Sequence, residues 1–193
     1  MSTYNPAPYQ DLSTICLEAF QSEEGLTPFD LAERMMDADS VLMHCPAHHF
    51  IVPAALITAA RRAQAASEQQ LEADLKLAAQ RASKVPGGFC GWWGCCGAAV
   101  GGGVFASILL DASPKQQEHW ALVNQFTARC LDKVASVEGP RCCKRVTYLA
   151  LAAAMERAPS LLGVDLGEVP PVLCSRFALN DECKGTECPY YPA

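Results

Sequence analysis

Four segments of this 193-residue chain concentrate thiols and imidazoles at spacings suited to holding a metal. The first is His44-Cys45-Pro46-Ala47-His48-His49, where Cys45 and His48 are separated by two residues, a gap that lets both side chains reach one ion. The plainer reading is a loop with a surface histidine cluster. The second is Gly87-Gly88-Phe89-Cys90-Gly91-Trp92-Trp93-Gly94-Cys95-Cys96-Gly97. Its glycines permit positive φ and close backbone approach, so the loop can wrap a compact object and donate amides to it. The sulfides of an iron–sulfur cluster accept such amide hydrogen bonds, which tune the reduction potential. Cys96 falls where a helix should begin, so the helix dipole favours its thiolate, and Trp92 and Trp93 are expected to shield the site from water. A glycine-rich packing loop with apolar cysteines is the alternative, which three cysteines within seven residues argue against.

The third segment is Gly139-Pro140-Arg141-Cys142-Cys143-Lys144-Arg145. Two thiols at a helix start among three cations should have lowered pKa values. Those cations offset the negative charge of a thiolate-bound cluster, or attract a small anionic substrate. The fourth is the tail, with Cys174, then Cys183-Lys184-Gly185-Thr186-Glu187-Cys188-Pro189. A four-residue gap between Cys183 and Cys188, an internal glycine and a trailing Cys-Pro suit a metal-binding knuckle. Without a metal, such a Pro-rich tail has little reason to stay ordered. Cys16 and Cys130 stand alone within predicted helices and read as core residues. His119 reads as an ordinary helix surface residue.

Nine donors therefore stand as candidate metal ligands: Cys45, His48, Cys90, Cys96, Cys142, Cys143, Cys174, Cys183 and Cys188. The simplest grouping joins Cys90, Cys96, Cys142 and Cys143 around one cofactor and the tail cysteines with Cys45 or His48. An iron–sulfur cluster, with 4Fe-4S among its forms, is the favoured occupant and zinc the alternative. The thiolates would serve electron transfer or a metal-dependent redox step, with a redox partner protein or a small anionic substrate. Two other functions remain open: a structural zinc-binding interaction module, and a thiol–disulfide redox enzyme in which Cys142 or Cys143 attacks and Cys90 or Cys96 resolves. The last lacks a Cys-x-x-Cys element.

The elements that must carry these segments read as helical. Half the residues are apolar, enough for a core without disulfide staples, and 8% are aromatic, a composition leaning to helix. The expectation is a mainly α fold: one compact domain over 1–193, of about six helices with cysteine-bearing loops and an irregular tail. Within it, 1–40 supplies N-terminal helices, 41–166 a cysteine-rich helical core, and 167–193 the tail. Apolar spacing predicts a helix over 9–24. Thr27-Pro28 with Asp30 marks the start of the next, running to about Ser40. Residues 41–50 read as a histidine-rich loop, and Val52-Pro53 opens a helix to about Ala66. Ser67 caps one ending near Lys84 in a capping box. The glycine-rich loop is expected to be buried ahead of a buried helix over 96–110, whose Gly101–Gly103 lets another helix approach closely. Ser113-Pro114 should cap 114–136, and a helix over 141–158 should end at Pro159.

The net charge of −6 argues against nucleic-acid or anionic-membrane binding. The uncharged run from Val85 to Leu110 has only about 15 continuous helical residues, short of the about 20 that span a bilayer. No basic segment followed by an apolar run opens the chain, and an odd eleven cysteines with two adjacent pairs suit ligation better than disulfides. A reducing, cytoplasmic setting is expected. Gly97–Gly103 follows no predicted strand and lacks the P-loop lysine, so it matches no nucleotide motif.

In order, Cys45-Pro46-Ala47-His48, Pro86-Gly87-Gly88-Phe89-Cys90-Gly91, Gly94-Cys95-Cys96-Gly97-Ala98, the Gly-Pro-Arg-Cys-Cys-Lys-Arg string from Gly139 and Cys183-Lys184-Gly185-Thr186-Glu187-Cys188-Pro189 form a specific set. It resembles an uncharacterised cysteine-rich family of domains of unknown function found largely in anaerobic microbes. The resemblance spans about positions 41 to 190. It implies an anaerobic setting, brings no activity, and has Cys96 as its regular member with Cys95 extra.

Overall fold

The computed structural model describes residues 7–22 and 24–192. The first six residues of the N-terminal stretch, Glu23 in the expected first helix, and Ala193 lie outside them. Among the described residues the fold is all-helical, with no strand: α1 (Ala7–Gln21), α2 (Pro28–Met36), α3 (His48–Ala63), α4 (Glu68–Ala82), the single turn α5 (Phe89–Trp92), α6 (Gly97–Leu109), α7 (Trp120–Ala135) and α8 (Cys143–Leu162). Two short 3-10 turns, Phe177–Leu179 and Gly185–Glu187, follow in an irregular tail.

Helices α3 and α6 form the centre. The first packs against α1, α2, α4, α6 and α8, and the second against α3, α4, α7 and α8. Both are apolar around nearly their whole circumference, as an enclosed helix must be. Aromatic rings bridge the layers, with Phe105 of α6 edge-on to Phe126 of α7 at 5.9 Å and Phe29 of α2 stacked on Tyr148 of α8 at 6.1 Å. The glycines of α6 permit the tight contacts. A Cβ on Gly101 would lie 2.7 Å from Pro53, one on Gly102 2.5 Å from Cys130 Sγ, and one on Gly103 would strike the Thr127 hydroxyl. Side chains there would hold α3 and α7 away.

Local chemistry sets several starts. The Thr27 hydroxyl accepts from the Asp30 amide at 3.2 Å and the Asp30 carboxylate accepts from the Thr27 amide at 2.8 Å, a complete capping box. The Ser67 hydroxyl accepts from the Gln70 amide at 3.2 Å. Other boundaries differ from those read in the sequence. Helix α3 begins at His48, so His48-His49 lie in its first turn rather than in a loop, and Pro53 sits inside the helix. Ser113-Pro114 lies in a turn, and α7 starts after His119, whose φ of 66° makes it a left-handed junction rather than a helix surface residue. Helix α8 runs through Pro159 and stops at Gly163, whose φ of 66° suits a C-terminal cap. None of the described helices is long and apolar enough to cross a membrane.

Candidate functional site: two cysteine-lined cavities at the start of helix α8

The chain enters α8 through Cys142 in extended conformation and Cys143 as the first helical residue, so the two side chains diverge. Cys142 lines a small cavity of about 20 Å³ together with Cys174, Cys183 and Cys188. Cys143 lines a larger one of about 690 Å³ with His48, Cys90 and Cys96. Cys45 joins the second set: its sulfur lies 3.6 Å from His48 Nδ1, and its amide hydrogen-bonds the Cys143 sulfur. The expected foursome of Cys90, Cys96, Cys142 and Cys143 is thus divided. Cys142 goes with the tail, and Cys45 and His48 go with the glycine-loop cysteines. Cys95 lines neither cavity. Among the described residues, no three His, Cys, Asp or Glu side chains converge closely enough to hold a single ion as they stand.

The tail reaches its cavity through a chain of tight turns. The Cys174 amide donates to the Tyr190 carbonyl at 2.7 Å, which closes the loop that carries Cys183 and Cys188. Gly185, with φ of 57°, makes the turn between those two and donates its amide to Cys183 Sγ at 3.5 Å. An ionic anchor holds the assembly to α2. Arg176 is 5% exposed and pairs with Glu33 at 2.6 Å and with Asp37, while Tyr148 donates its hydroxyl to Glu33. Burial works against the Arg176 charge, but Glu33 and Asp37 overcome it and hold its pKa above the ordinary value. Tyr190 packs edge-on against Tyr148 at 4.9 Å, and Lys184 donates to the Gly139 carbonyl at 2.9 Å. These contacts supply the reason for order that the tail's composition hides. Arg176 carries no signal in the sequence beyond being a cation opposite an i, i+4 acidic pair on α2.

Amide donors face several of the sulfurs. The Arg145 amide donates to Cys142 Sγ at 3.5 Å. Burial raises the Cys96 pKa, and the Ala99 and Ala98 amides of α6 counter it only in part; Cys174 is likewise raised by burial, with the Arg176 amide pulling the other way. Burial pushes the Cys143 thiol up to about 12, against the Cys45 amide and the Arg141 charge. The lowered pKa expected from three neighbouring cations is therefore reversed at Cys143. Two of those cations are engaged elsewhere: Lys144 donates to the Met36 carbonyl at 3.4 Å, and Arg145 to the Pro140 carbonyl at 2.6 Å and the Glu138 carbonyl at 3.2 Å.

Three further groups bear on what the cavities can hold. Arg145 is buried, lines both cavities, and its Nε has no partner among the described residues. His48 is 1% exposed; burial lowers its pKa to about 3, so the ring is neutral. Its Nδ1 lies 3.0 Å from the Cys45 carbonyl, which places the proton there and leaves the unpartnered Nε2 with a free lone pair. Trp92 and Trp93, expected to shield the site, are 76% and 65% exposed, and the loop they stand on is a surface turn rather than a buried one. Cys16 and Cys130 are fully buried in the core, Cys16 against Met35 and Cys130 against the Ala150 carbonyl.

No curated protein and no solved structure matches the chain. A family model described as a family of unknown function (DUF5714) matches residues 14–191, which takes in α2 to α8, both cavities and the tail. The chain belongs to that family.

Proposed function

We propose that this chain holds two thiolate-bound metal centres, of which iron–sulfur clusters of the 4Fe-4S type are the favoured occupants, and that it serves electron transfer or a metal-dependent redox step of anaerobic metabolism in the cytoplasm. The observation that carries this reading is the sorting of seven cysteines between two cavities that meet at the first turn of α8, with Cys45 beside Cys143 as an eighth. Two-set sorting of residues spread from position 45 to 188 is what two four-thiolate cofactors require.

The room at the larger cavity, about 690 Å³, supports a cluster over a lone ion there; the tail set, which encloses about 20 Å³, would have to open to take a cube. Amides directed at Cys142, Cys183 and Cys143 stabilise anionic sulfur, and Arg145 and Lys184 beside the tail set offset the charge of a thiolate-bound cluster. A bound cation also supplies the compensation that burial withholds from the Cys143 thiolate. The same burial argues against Cys143 as the attacking group of a thiol–disulfide enzyme, because a thiol raised to about 12 is almost wholly protonated at neutral pH.

The test is anaerobic purification of the full chain followed by iron, zinc and acid-labile sulfide analysis. The expected result is a brown protein with about eight irons and eight sulfides per chain, as two cubes demand. Stoichiometric zinc without sulfide would replace this reading with the structural zinc module.

A further inference from the structure

The two cavities differ in a way that assigns them different work. The tail set stands around a space with room for about one water. Cys90, Cys96 and Cys143, the last bonded by the Cys45 amide, border a cavity of about 690 Å³, within the range that takes small organic ligands. Its far wall is apolar, formed by Leu131 and Val134 of α7, Val137 beyond it and Val146 of α8. Leu131, Val134 and Val146 pack against the core on one side and are only partly buried among the described residues.

The polar groups of the cavity are few and underused. Arg141 lines it from an exposed position, and its charge acts on Cys143. The buried Arg145 Nε and His48 Nε2 have no partner, although each belongs to a residue on the cavity wall. An unpaired buried donor costs about 1–3 kcal/mol, so Arg145 Nε calls for a further acceptor, whereas the His48 Nε2 lone pair calls for a donor or a cation. Asp132 is the one carboxylate on the lining and is exposed. It stands on α7, away from the Arg141–Arg145 segment in sequence, and disfavours a second negative charge on a ligand lying along that helix.

We infer that this cavity binds a small organic monoanion, an apolar body lying along Leu131, Val134, Val137 and Val146 with a carboxylate-type head held by Arg141. Arg141 and the cysteine set share the cavity, so the anionic end is the end presented to the centre. Its role as a substrate rests on the metal-centre reading above; its binding does not.

The closing experiment uses the full chain purified anaerobically, with iron, zinc and sulfide measured on the same sample. Straight-chain monocarboxylates of about four to about eight carbons, and the matching neutral primary amides, are titrated by calorimetry and by amide NMR shifts. The acids bind saturably, the amides at least about tenfold more weakly, because the charge-assisted bond to Arg141 is lost. Arg141→Gln costs the acids about tenfold and leaves the amides within about twofold, while Leu131→Trp, which fills the cavity from its surface side, weakens both. No saturable binding by any acid, equal affinity for acid and amide, or acid binding indifferent to Arg141→Gln overturns the proposal, whether the centres are loaded or empty. Saturable, Arg141-dependent binding in a sample free of metal and sulfide supports this site and overturns the metal-centre reading instead.

Discussion

Cys142 and Cys143 are covalent neighbours that face different cavities: the first shares its space with Cys174, Cys183 and Cys188, the second with His48, Cys90 and Cys96. The extended backbone at Cys142, with ψ of 114°, gives way to helix at the next residue, and this change of direction separates the two sulfurs. One peptide unit then joins the two proposed centres, a short path for an electron.

The division predicts separable losses. Cys142→Ala removes the tail-set centre and Cys143→Ala the other, each lowering iron and sulfide by about half in anaerobically purified protein. Electron paramagnetic resonance of the dithionite-reduced variants should show a different surviving signal in each. A single substitution that empties the protein of iron altogether, with the fold intact by circular dichroism, would contradict two independent centres.

Arg176 is predicted to hold the tail. Arg176→Ala leaves the Glu33 and Asp37 carboxylates without their cation and should cost about 2–4 kcal/mol, less than a fully enclosed pair because Asp37 is largely exposed. Chemical denaturation measures the loss, and limited proteolysis should cut first between α8 and the C-terminus. Glu33→Gln keeps an acceptor for Tyr148 and should cost less.

Helix α6 tolerates no bulk where it meets α7. Gly103→Val forces a side chain into Thr127, and Gly102→Val into Cys130, so each should lower stability by about 2–4 kcal/mol. Gly25→Ala, at a position open on every side, should cost far less in the same urea titration.

Alkaline pH should destabilise the protein through its two core thiols. Burial pushes Cys16 and Cys130 from 9.0 up to about 12 in the folded chain, so the unfolded chain gives up its protons first as pH rises. The stabilisation is complete below pH 9 and is lost progressively as pH climbs towards 12, at up to about 1.4 kcal/mol per pH unit for each thiol. Denaturation midpoints measured from pH 8 to pH 10.5 should fall, and Cys16→Val should flatten the slope. In the native state both thiols should resist iodoacetamide while the tail cysteines of metal-stripped protein react.

Much of the scaffold was legible because its signals are local. Thr27-Pro28 with Asp30 announces α2 by chemistry confined to one turn, and Gly101–Gly103 announces a close helix contact by the lack of side chains. The misread boundaries have tertiary causes. Pro53 sits within α3 rather than at its start, and His48-His49 are drawn into its first turn by contacts with Cys45 and Val85 that lie outside the pattern of their own segment. Residue type and spacing single out nine candidate ligands, and eight of them line one or the other cavity. Their grouping was not legible, since adjacency in sequence joined Cys142 to Cys143 while the turn into α8 parts them, and Cys45 meets Cys143 only where α3 packs on α8. The lowered pKa expected at Cys143 failed because counting cations overlooks where each one is spent.

The ionic clasp between Arg176 and α2 gives the C-terminal segment a foothold that owes nothing to any inorganic guest. Its mooring point lies on a helix formed from the first third of the chain, so two stretches far apart in sequence are tied together by the polypeptide's own charges.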